Sequence, residues 1–175
     1  MAYYSKIINV DQIMENISNL KNPKGRFDLI NFKTNKIIVD YAHTPESISQ
    51  VIKYVNPYFS KVVVLFGAGG NRDKEKRKLM GTASQLADSV IVTNDNPRNE
   101  DPIQISNDIL KGCDLSKTTV ILDRKEAITS AINELRENSV LLVLGKGHEM
   151  YQEINNSHIP LNDNDFINKT IGGLI

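Results

Sequence analysis

Five short runs of apolar, mostly β-branched residues constrain the fold of this chain more than any other feature. They lie at residues 37–39, 62–66, 90–92, 120–122 and 140–144. None of them alternates with polar residues, so both faces of each predicted strand must be covered. Between the runs the apolar spacing becomes helical, as at Ile48, Val51, Ile52 and Val55. This alternation predicts an α/β domain with a mostly parallel sheet flanked by helices.

The predicted helices carry ordinary start signals. Thr44 reads as an N-cap, with proline at the first helical position. The segments 101–104 and 123–126 resemble capping boxes that open with Asp101 and Asp123, so neither aspartate is assigned any chemistry. Two further apolar stripes also predict helices, at Leu79, Met80, Ala83, Leu86 and Ala87 and at Ile128, Ala131, Ile132 and Leu135.

Composition narrows the function classes. The 175 residues fit one domain. Lysine plus arginine equal aspartate plus glutamate at 21 each, so no global field attracts nucleic acid or an anionic membrane. A single cysteine, Cys113, excludes an internal disulfide and suits a reducing cytosol. Because no apolar run approaches the ~18–20 residues of a membrane span and no signal peptide is recognisable, we expect a cytoplasmic protein.

The residues that follow the apolar runs are unusually rich in glycine, charge and histidine. In open α/β sheets, ligands bind beyond the carboxyl ends of the strands. Four of the five ends stand out, at residues 40–45, 67–74, 95–98 and 145–149. Since these ends meet at one edge of a parallel sheet, the sequence predicts a binding site there.

The glycine-rich segment 67–70 has two interpretations. It is compatible with a plain strand-to-helix turn, because positive φ costs glycine little. It lacks the spacing of a dinucleotide fingerprint and the glycine-lysine-threonine/serine of a phosphate loop. Arg72 and Lys74 next to a helix N-terminus with glycine amides favour a phosphate or carboxylate guest. The segment 76–78 is expected to form a solvated helix face.

The remaining segments can also be interpreted as ordinary structural features that bind no ligand. Residues 95–98 suit a turn, although a guanidinium at Arg98 is well placed to take a carboxylate bidentately. Residues 145–149 suit a flexible strand exit, with Glu149 available for a ligand ammonium and Gly145 leaving room for a ligand. His43 is more often a packed histidine than a catalyst. No spacing indicates a metal site or an activated serine or cysteine.

Taken together, the segments 25–26, 40–45, 66–74, 95–98 and 145–149 resemble, in order, the motifs of the Rossmann-like C-terminal domain of the Mur ligases. They are most similar to the branch that adds meso-diaminopimelate to the peptidoglycan stem peptide. The resemblance implies an ATP-dependent, amide-forming ligase acting on UDP-N-acetylmuramoyl-L-alanyl-D-glutamate through an acyl phosphate. It implies that ATP and Mg²⁺ are held mainly by a central domain.

The resemblance also implies roles for single residues. The residues expected to bind meso-diaminopimelate are Arg72, Asp95, Asn96, Pro97, Arg98, Gly145 and Glu149. Those expected to reach ATP when the domain closes are Arg26, Asp40, His43 and Lys74. No residue of the chain is assigned direct catalysis or a metal. Relatives that add L-lysine typically lack the arginine corresponding to Arg98, and a buried distal carboxylate needs such a donor.

The resemblance implies a division of the chain at residue 25. Residues 1–24, with a predicted helix at 10–20, are expected to be the tail of the central ATPase domain plus a linker. Residues 25–175 are expected to be the C-terminal domain, with the N-terminal and central domains missing from this chain. The isolated chain is therefore expected to be an inactive monomer that binds neither nucleic acid nor membrane.

Three alternatives remain open. The first is the same ligase with specificity for L-lysine. The second is a non-catalytic Rossmann-like module that binds a nucleotide or an amino acid, which leaves Arg98 and residues 145–149 unexplained. The third is folylpolyglutamate synthetase, which shares the domain plan but whose substrates do not call for the signature at residues 95–98.

Overall fold

The computed structural model describes residues 23–174, so the helix predicted at residues 10–20 lies outside the described residues. The strands are β1 (Asp28–Phe32), β2 (Asn35–Asp40), β3 (Lys61–Phe66), β4 (Ser89–Val92), β5 (Thr118–Val120), β6 (Ser139–Leu144), β7 (Tyr151–Ile154) and β8 (Ser157–Pro160). The helices are α1 (Pro45–Val55), α2 (Glu75–Ser84), α3 (Pro102–Leu110), α4 (Arg124–Asn133) and α5 (Asp163–Gly172), with a 3-10 turn at Asn56–Tyr58.

Six strands form one twisted sheet in the order β1-β2-β6-β3-β4-β5. The five strands from β2 to β5 are parallel, and β1 adds an antiparallel edge. Helices α1 to α3 cover one face, with Ile48, Met80 and Ile109 in its core. Helices α4 and α5 cover the other face through Ile128 and Ile167. The predicted mostly parallel sheet, covered on both faces, is confirmed. Within residues 23–174 no helix has the length and apolar character needed to cross a bilayer.

Three details of the predicted elements are wrong. The apolar run at 120–122 is not a strand throughout, because β5 ends at Val120, which lies at the open edge of the sheet and is 39% exposed. Leu79 and Leu86 are exposed rather than packed in the predicted stripe: Leu79 lies within α2 on its solvent side, and Leu86 lies beyond the end of α2 at Ser84. Strand β1 and the β7–β8 hairpin lack a continuous apolar run and were not predicted.

The predicted caps form, with one difference. Asp101 accepts a hydrogen bond from the N–H of Ile103, and Asp123 accepts one from the N–H of Glu126. The reciprocal capping box is found instead at Thr44, where the Ser47 hydroxyl accepts the N–H of Thr44 in return. These contacts satisfy orphan donors in the first turns of the helices.

A buried ion pair joins helices α4 and α5, on one face of the sheet, to the carboxyl ends of its strands. Arg124 and Asp163 have fully buried side chains and form a bidentate pair, with Nε–Oδ1 at 3.0 Å and Nη2–Oδ2 at 2.7 Å. The guanidinium also donates to the carbonyl oxygens of Leu144 (2.9 Å) and Asn94 (3.3 Å). The pair therefore fixes the ends of β4 and β6 to the starts of α4 and α5.

Replacing this arginine should destabilise the domain strongly. Arg124→Met is expected to lower the free energy of unfolding by about 3–5 kcal/mol, because it leaves the buried Asp163 carboxylate uncompensated. The measurement is urea denaturation of the 175-residue chain. Arg136→Met, at an exposed arginine, is the control and should change stability by no more than about 0.5 kcal/mol. Equal stabilities of the two variants would contradict a structural role for the pair.

Candidate functional site

A cleft of about 350 Å³ opens at the carboxyl edge of the parallel strands. Its walls come from the loops that follow β2, β3, β4 and β6 and from helix α2. The lining residues are Tyr41, His43, Gly67, Ala68, Gly69, Arg72, Asp73, Lys76, Met80, Asp95, Asn96, Arg98, Gly145 and Glu149. Six of the seven residues predicted to bind the amino acid line this cleft, and the seventh, Pro97, is buried behind it. Their binding of a ligand stays a prediction.

Glycines at two strand ends bring the loops into contact at the floor of the cleft. A Cβ on Gly67 would collide with the carbonyl oxygen of Thr93. A Cβ on Gly145, which has φ +106°, would lie 2.6 Å from Oδ2 of Asp95. Gly145 is thus required by its own backbone and by the close approach of Asp95. Burial raises the pKa of Asp95, and the positive charges of Arg124 and Lys146 oppose that rise.

Glu149 is held in place by two donors. Its Oε2 accepts hydrogen bonds from Lys146 Nζ (2.6 Å) and Asn96 Nδ2 (2.9 Å). Asn96 is itself fixed, because its Oδ1 accepts from Lys146 Nζ at 3.0 Å and from the N–H of Glu153 at 2.9 Å. The Lys146 side chain is completely buried. The carboxylate of Glu149 therefore lies in the cleft wall with a fixed orientation.

Arg98 is positioned by the hairpin that the sequence did not predict. Its backbone has φ +52° and forms a bridge with Ile154 of β7. Its Nε lies 2.8 Å from Oε2 of Glu153, and its Nη1 donates to the carbonyl oxygen of Gly70 at 2.9 Å. Within residues 23–174 its Nη2 has no acceptor. Two of the three guanidinium nitrogens are thus anchored, and Nη2 remains for a partner in the cleft.

The glycine-rich loop differs from expectation in two respects. Helix α2 begins only at Glu75, with Lys74 as N-cap, so the glycine amides do not form a helix N-terminus. The N–H of Gly70 donates instead to the carbonyl oxygen of Asn96 at 2.9 Å. The loop is thus attached to its neighbour across the sheet edge, and Arg72 projects from it as an exposed member of the cleft wall.

The expected solvated face at residues 76–78 is wrong for Arg77. Lys76 and Lys78 are exposed, but the Arg77 side chain is 1% exposed. Its guanidinium pairs with Glu100 at 3.0 Å and with Asp108 of α3 at 3.2 Å. Arg77 is buried because α2 packs against α3 on this side, where two carboxylates compensate the charge. It fixes the base of the loop that carries Arg72.

The four residues predicted to reach ATP do not form a single cluster. Arg26 lies over the Tyr41 ring at 4.6 Å, and His43 packs edge-on against the same ring. The Asp40 carboxylate accepts the N–H groups of Phe27 (2.8 Å) and Ala42 (2.7 Å), so it holds backbone. Lys74 lies elsewhere, 3.3 Å from Glu100.

Three residues of the site were not singled out from the sequence. Lys146 could have been found, since it stands between two glycines within a predicted motif. Tyr41 also lies in a predicted motif, and aromatic rings are common supports for cations. Glu153 carried no signal, because the hairpin that places it beside Arg98 was not predicted. Within residues 23–174 no three histidine, cysteine or carboxylate side chains come close enough together to hold a metal ion.

The fold and the cleft define an α/β domain whose carboxyl edge presents both guanidinium and carboxylate groups to a cleft. The family model described as "Mur ligase, glutamate ligase domain" matches residues 25–147. The chain belongs to the Mur ligase family.

Relatives agree with this assignment. A protein of Rickettsia montanensis named UDP-N-acetylmuramoyl-L-alanyl-D-glutamate--2,6-diaminopimelate ligase is 44% identical over 165 residues, which is 92% of this chain and 34% of the relative. A solved structure of a ligase with the same name is 34% identical, with a TM-score of 0.83, over 99% of this chain and 36% of that chain. A folylpolyglutamate synthase of Mycobacterium tuberculosis, solved with ADP and AMPPCP, is 18% identical with a TM-score of 0.62, over 79% of this chain and 33% of that chain, and shares the fold. The chain spans about a third of the length of the curated relatives that it matches.

Removing the charge of Glu100 should flatten the acid dependence of stability. Hydrogen bonding to Arg77 lowers the pKa of Glu100 from its ordinary 4.5 to about 2, against an opposing effect of burial. Because the folded pKa lies below the unfolded one, the stabilising contribution is complete above about pH 4.5 and is lost as the pH falls towards about 2. As the pH falls from about 4.5 to about 2, the free energy of unfolding of Glu100→Gln should therefore decrease less than that of the wild type.

The measurement is the free energy of unfolding in urea at several pH values between neutral and acid. Glu46→Gln, at an exposed glutamate of α1, is the control and should retain the wild-type slope. An unchanged slope in Glu100→Gln would show that Arg77 does not stabilise the ionised carboxylate.

Proposed function

We propose that this chain is the C-terminal third of an ATP-dependent ligase that adds meso-diaminopimelate to UDP-N-acetylmuramoyl-L-alanyl-D-glutamate. The observation that carries the proposal is that Arg72, Arg98 and Glu149 line one cleft. Meso-diaminopimelate has two carboxylates and two ammonium groups, and each would cost several kcal/mol if buried without a partner. The names of the compared relatives support the same amino acid.

The proposed division of labour follows the geometry of the wall. Arg98 offers Nη2, the nitrogen that Glu153 and Gly70 leave unused, which suits a carboxylate. Arg72 adds a second guanidinium on the neighbouring loop, after β3. Glu149 accepts the ammonium at the far end of the guest. Asp95, Asn96 and Gly145 complete the floor. L-lysine has no second carboxylate and would leave one arginine unpaired.

The proposed reaction needs ATP, and the cluster around Tyr41 is where this domain would meet it. Arg26 and His43 both pack on the Tyr41 ring. Asp40 holds the adjacent backbone N–H groups of Phe27 and Ala42, and Lys74 is 65% exposed at the start of α2. A central ATPase domain would hold ATP and Mg²⁺ and form the acyl phosphate that the amine of the guest attacks. Residues 1–24 would link the two domains.

The proposal places the ligase in the cytoplasm, in the synthesis of the peptidoglycan on which cell shape and division depend. Its substrates are small molecules, and the isolated 175-residue chain is expected to be a monomer that forms no amide bond. A chain of this length that catalysed the reaction alone would contradict the proposed division into domains.

Arg98→Ala tests the amino-acid site. In the full-length ligase this change should raise KM for meso-diaminopimelate roughly 100-fold, because a charge-assisted contact to a buried carboxylate is lost. KM for ATP should change less than about threefold. The measurement is steady-state kinetics with each substrate varied in turn. Arg136→Ala is the control at an exposed arginine. Equal increases in both constants would mean that Arg98 is structural.

His43→Ala tests the nucleotide side. The change should raise KM for ATP roughly tenfold and alter KM for meso-diaminopimelate much less, since His43 packs on Tyr41 with Arg26. His158→Ala, on the exposed hairpin, is the matched control and should leave both constants unchanged. Unaltered ATP dependence in His43→Ala would remove this residue from the proposed ATP contacts.

A further inference from the structure

We infer that Lys146 is a positioning residue that makes the cleft selective for an amino acid with a second ammonium group. The inference rests on the proposed function and deepens it. Lys146 is completely buried, and its Nζ has three acceptors. They are Glu149 Oε2 at 2.6 Å, the carbonyl oxygen of Tyr151 at 2.7 Å and Asn96 Oδ1 at 3.0 Å. Since an ammonium has three N–H groups, its donor capacity is used in full.

The two flanking glycines explain how a lysine comes to lie there. Gly145 has φ +106° and Gly147 has φ +50°, which are conformations that other residues rarely adopt. A Cβ on Gly147 would also lie 2.6 Å from the carbonyl oxygen of Gly25. The chain therefore turns sharply on both sides of Lys146, and the side chain passes beneath the cleft instead of into solvent.

Lys146 acts on the guest through Glu149. Lys146 and Asn96 both donate a hydrogen bond to Glu149, and both donate to the same oxygen, Oε2. Within residues 23–174 the other oxygen, Oε1, accepts no hydrogen bond, and Glu149 lines the cleft. One oxygen is thus anchored below and the other remains for a donor in the cleft. A carboxylate fixed in this way loses little further freedom on binding, which favours a guest that supplies an N–H there.

The charges beneath the cleft point to the sign of that guest group. Asp95 interacts electrostatically with four charged groups: Arg124, Lys146, Glu149 and Asp163. Arg124 is committed to Asp163 in a bidentate pair, whereas Lys146 contacts Glu149. Burial raises the pKa of Asp95, so Glu149 is the carboxylate that offers an acceptor to the cleft, through its Oε1. An ammonium on the guest is complementary to this arrangement.

The test compares two substrates of the full-length ligase. Meso-diaminopimelate carries both ammonium groups, whereas 2-aminopimelate has the same chain and both carboxylates but lacks the distal amine. The wild type should prefer meso-diaminopimelate in kcat/KM on the order of 100-fold. Lys146→Met, which keeps the length and removes the charge, should reduce that preference to less than about tenfold. The decrease in kcat/KM should occur with meso-diaminopimelate and not with 2-aminopimelate.

A double-mutant cycle separates positioning from general damage. Glu149→Gln alone should lower the preference, and adding Lys146→Met to it should change the preference less than about twofold, because Lys146 works through Glu149. Lys53→Met, at an exposed lysine of α1, is the control. If Lys146→Met does not fold, Lys146→Gln replaces it. Asn96→Ser removes the second donor to Oε2 and should lower the preference for meso-diaminopimelate roughly tenfold. This variant replaces the Lys146 variants in the test if neither of them folds.

The outcomes distinguish this inference from the proposed function. If the wild-type ligase does not use meso-diaminopimelate, the proposed function fails and the inference fails with it. If the wild type uses it and Lys146→Met keeps the full preference, or loses activity equally with both substrates, the inference alone is overturned. A reduced preference with 2-aminopimelate activity preserved supports it.

Discussion

The buried ion pair of Arg124 and Asp163 is the contact on which the carboxyl edge of the sheet depends. Two charges removed from water are stable only when every hydrogen-bonding group finds a partner. Here the guanidinium also takes the carbonyl oxygens of Asn94 and Leu144, the residues directly before Asp95 and Gly145. The pair therefore determines where the two loops that form the cleft floor leave the sheet. Their positions are set by the fold before any ligand arrives.

Glu149 and Arg98 face the cleft in the same way, because each has atoms held by neighbouring groups and another atom without a partner among residues 23–174. Glu149 is anchored through Oε2 by Lys146, and Arg98 is anchored through Nε by Glu153. Arg72 is the exception, because its loop rather than its side chain is fixed, by Arg77 beneath it. On the proposed function, two rigid groups and one adaptable group suit a flexible guest that carries a carboxylate and an ammonium at each end and is bound most strictly at its far end.

The sequence predicted the parallel core and the cleft edge well, because both follow from local patterns. Runs such as 140–144 indicate buried strands, and strand ends in a parallel sheet must meet. It did not predict the buried cations. Arg77 and Lys146 resemble exposed residues in sequence, and the partners of Arg77 lie 23 and 31 positions away. It also missed the β7–β8 hairpin, whose β8 residues are all exposed and leave no apolar pattern.

The geometry also bears on how the amino-acid site and the proposed ATP contacts act together. The carboxylate of Asp40 holds the backbone of Phe27 and Ala42, next to Arg26 and His43, while its carbonyl oxygen accepts the N–H of Gly145 at 3.1 Å. One residue thus links the Tyr41 cluster to the cleft floor through main-chain contacts, which are less adaptable than side chains. On the proposed function, both sets of contacts belong to one rigid edge, so a rotation of this domain would bring the bound amine and the nucleotide-facing groups to the acyl phosphate in a single movement.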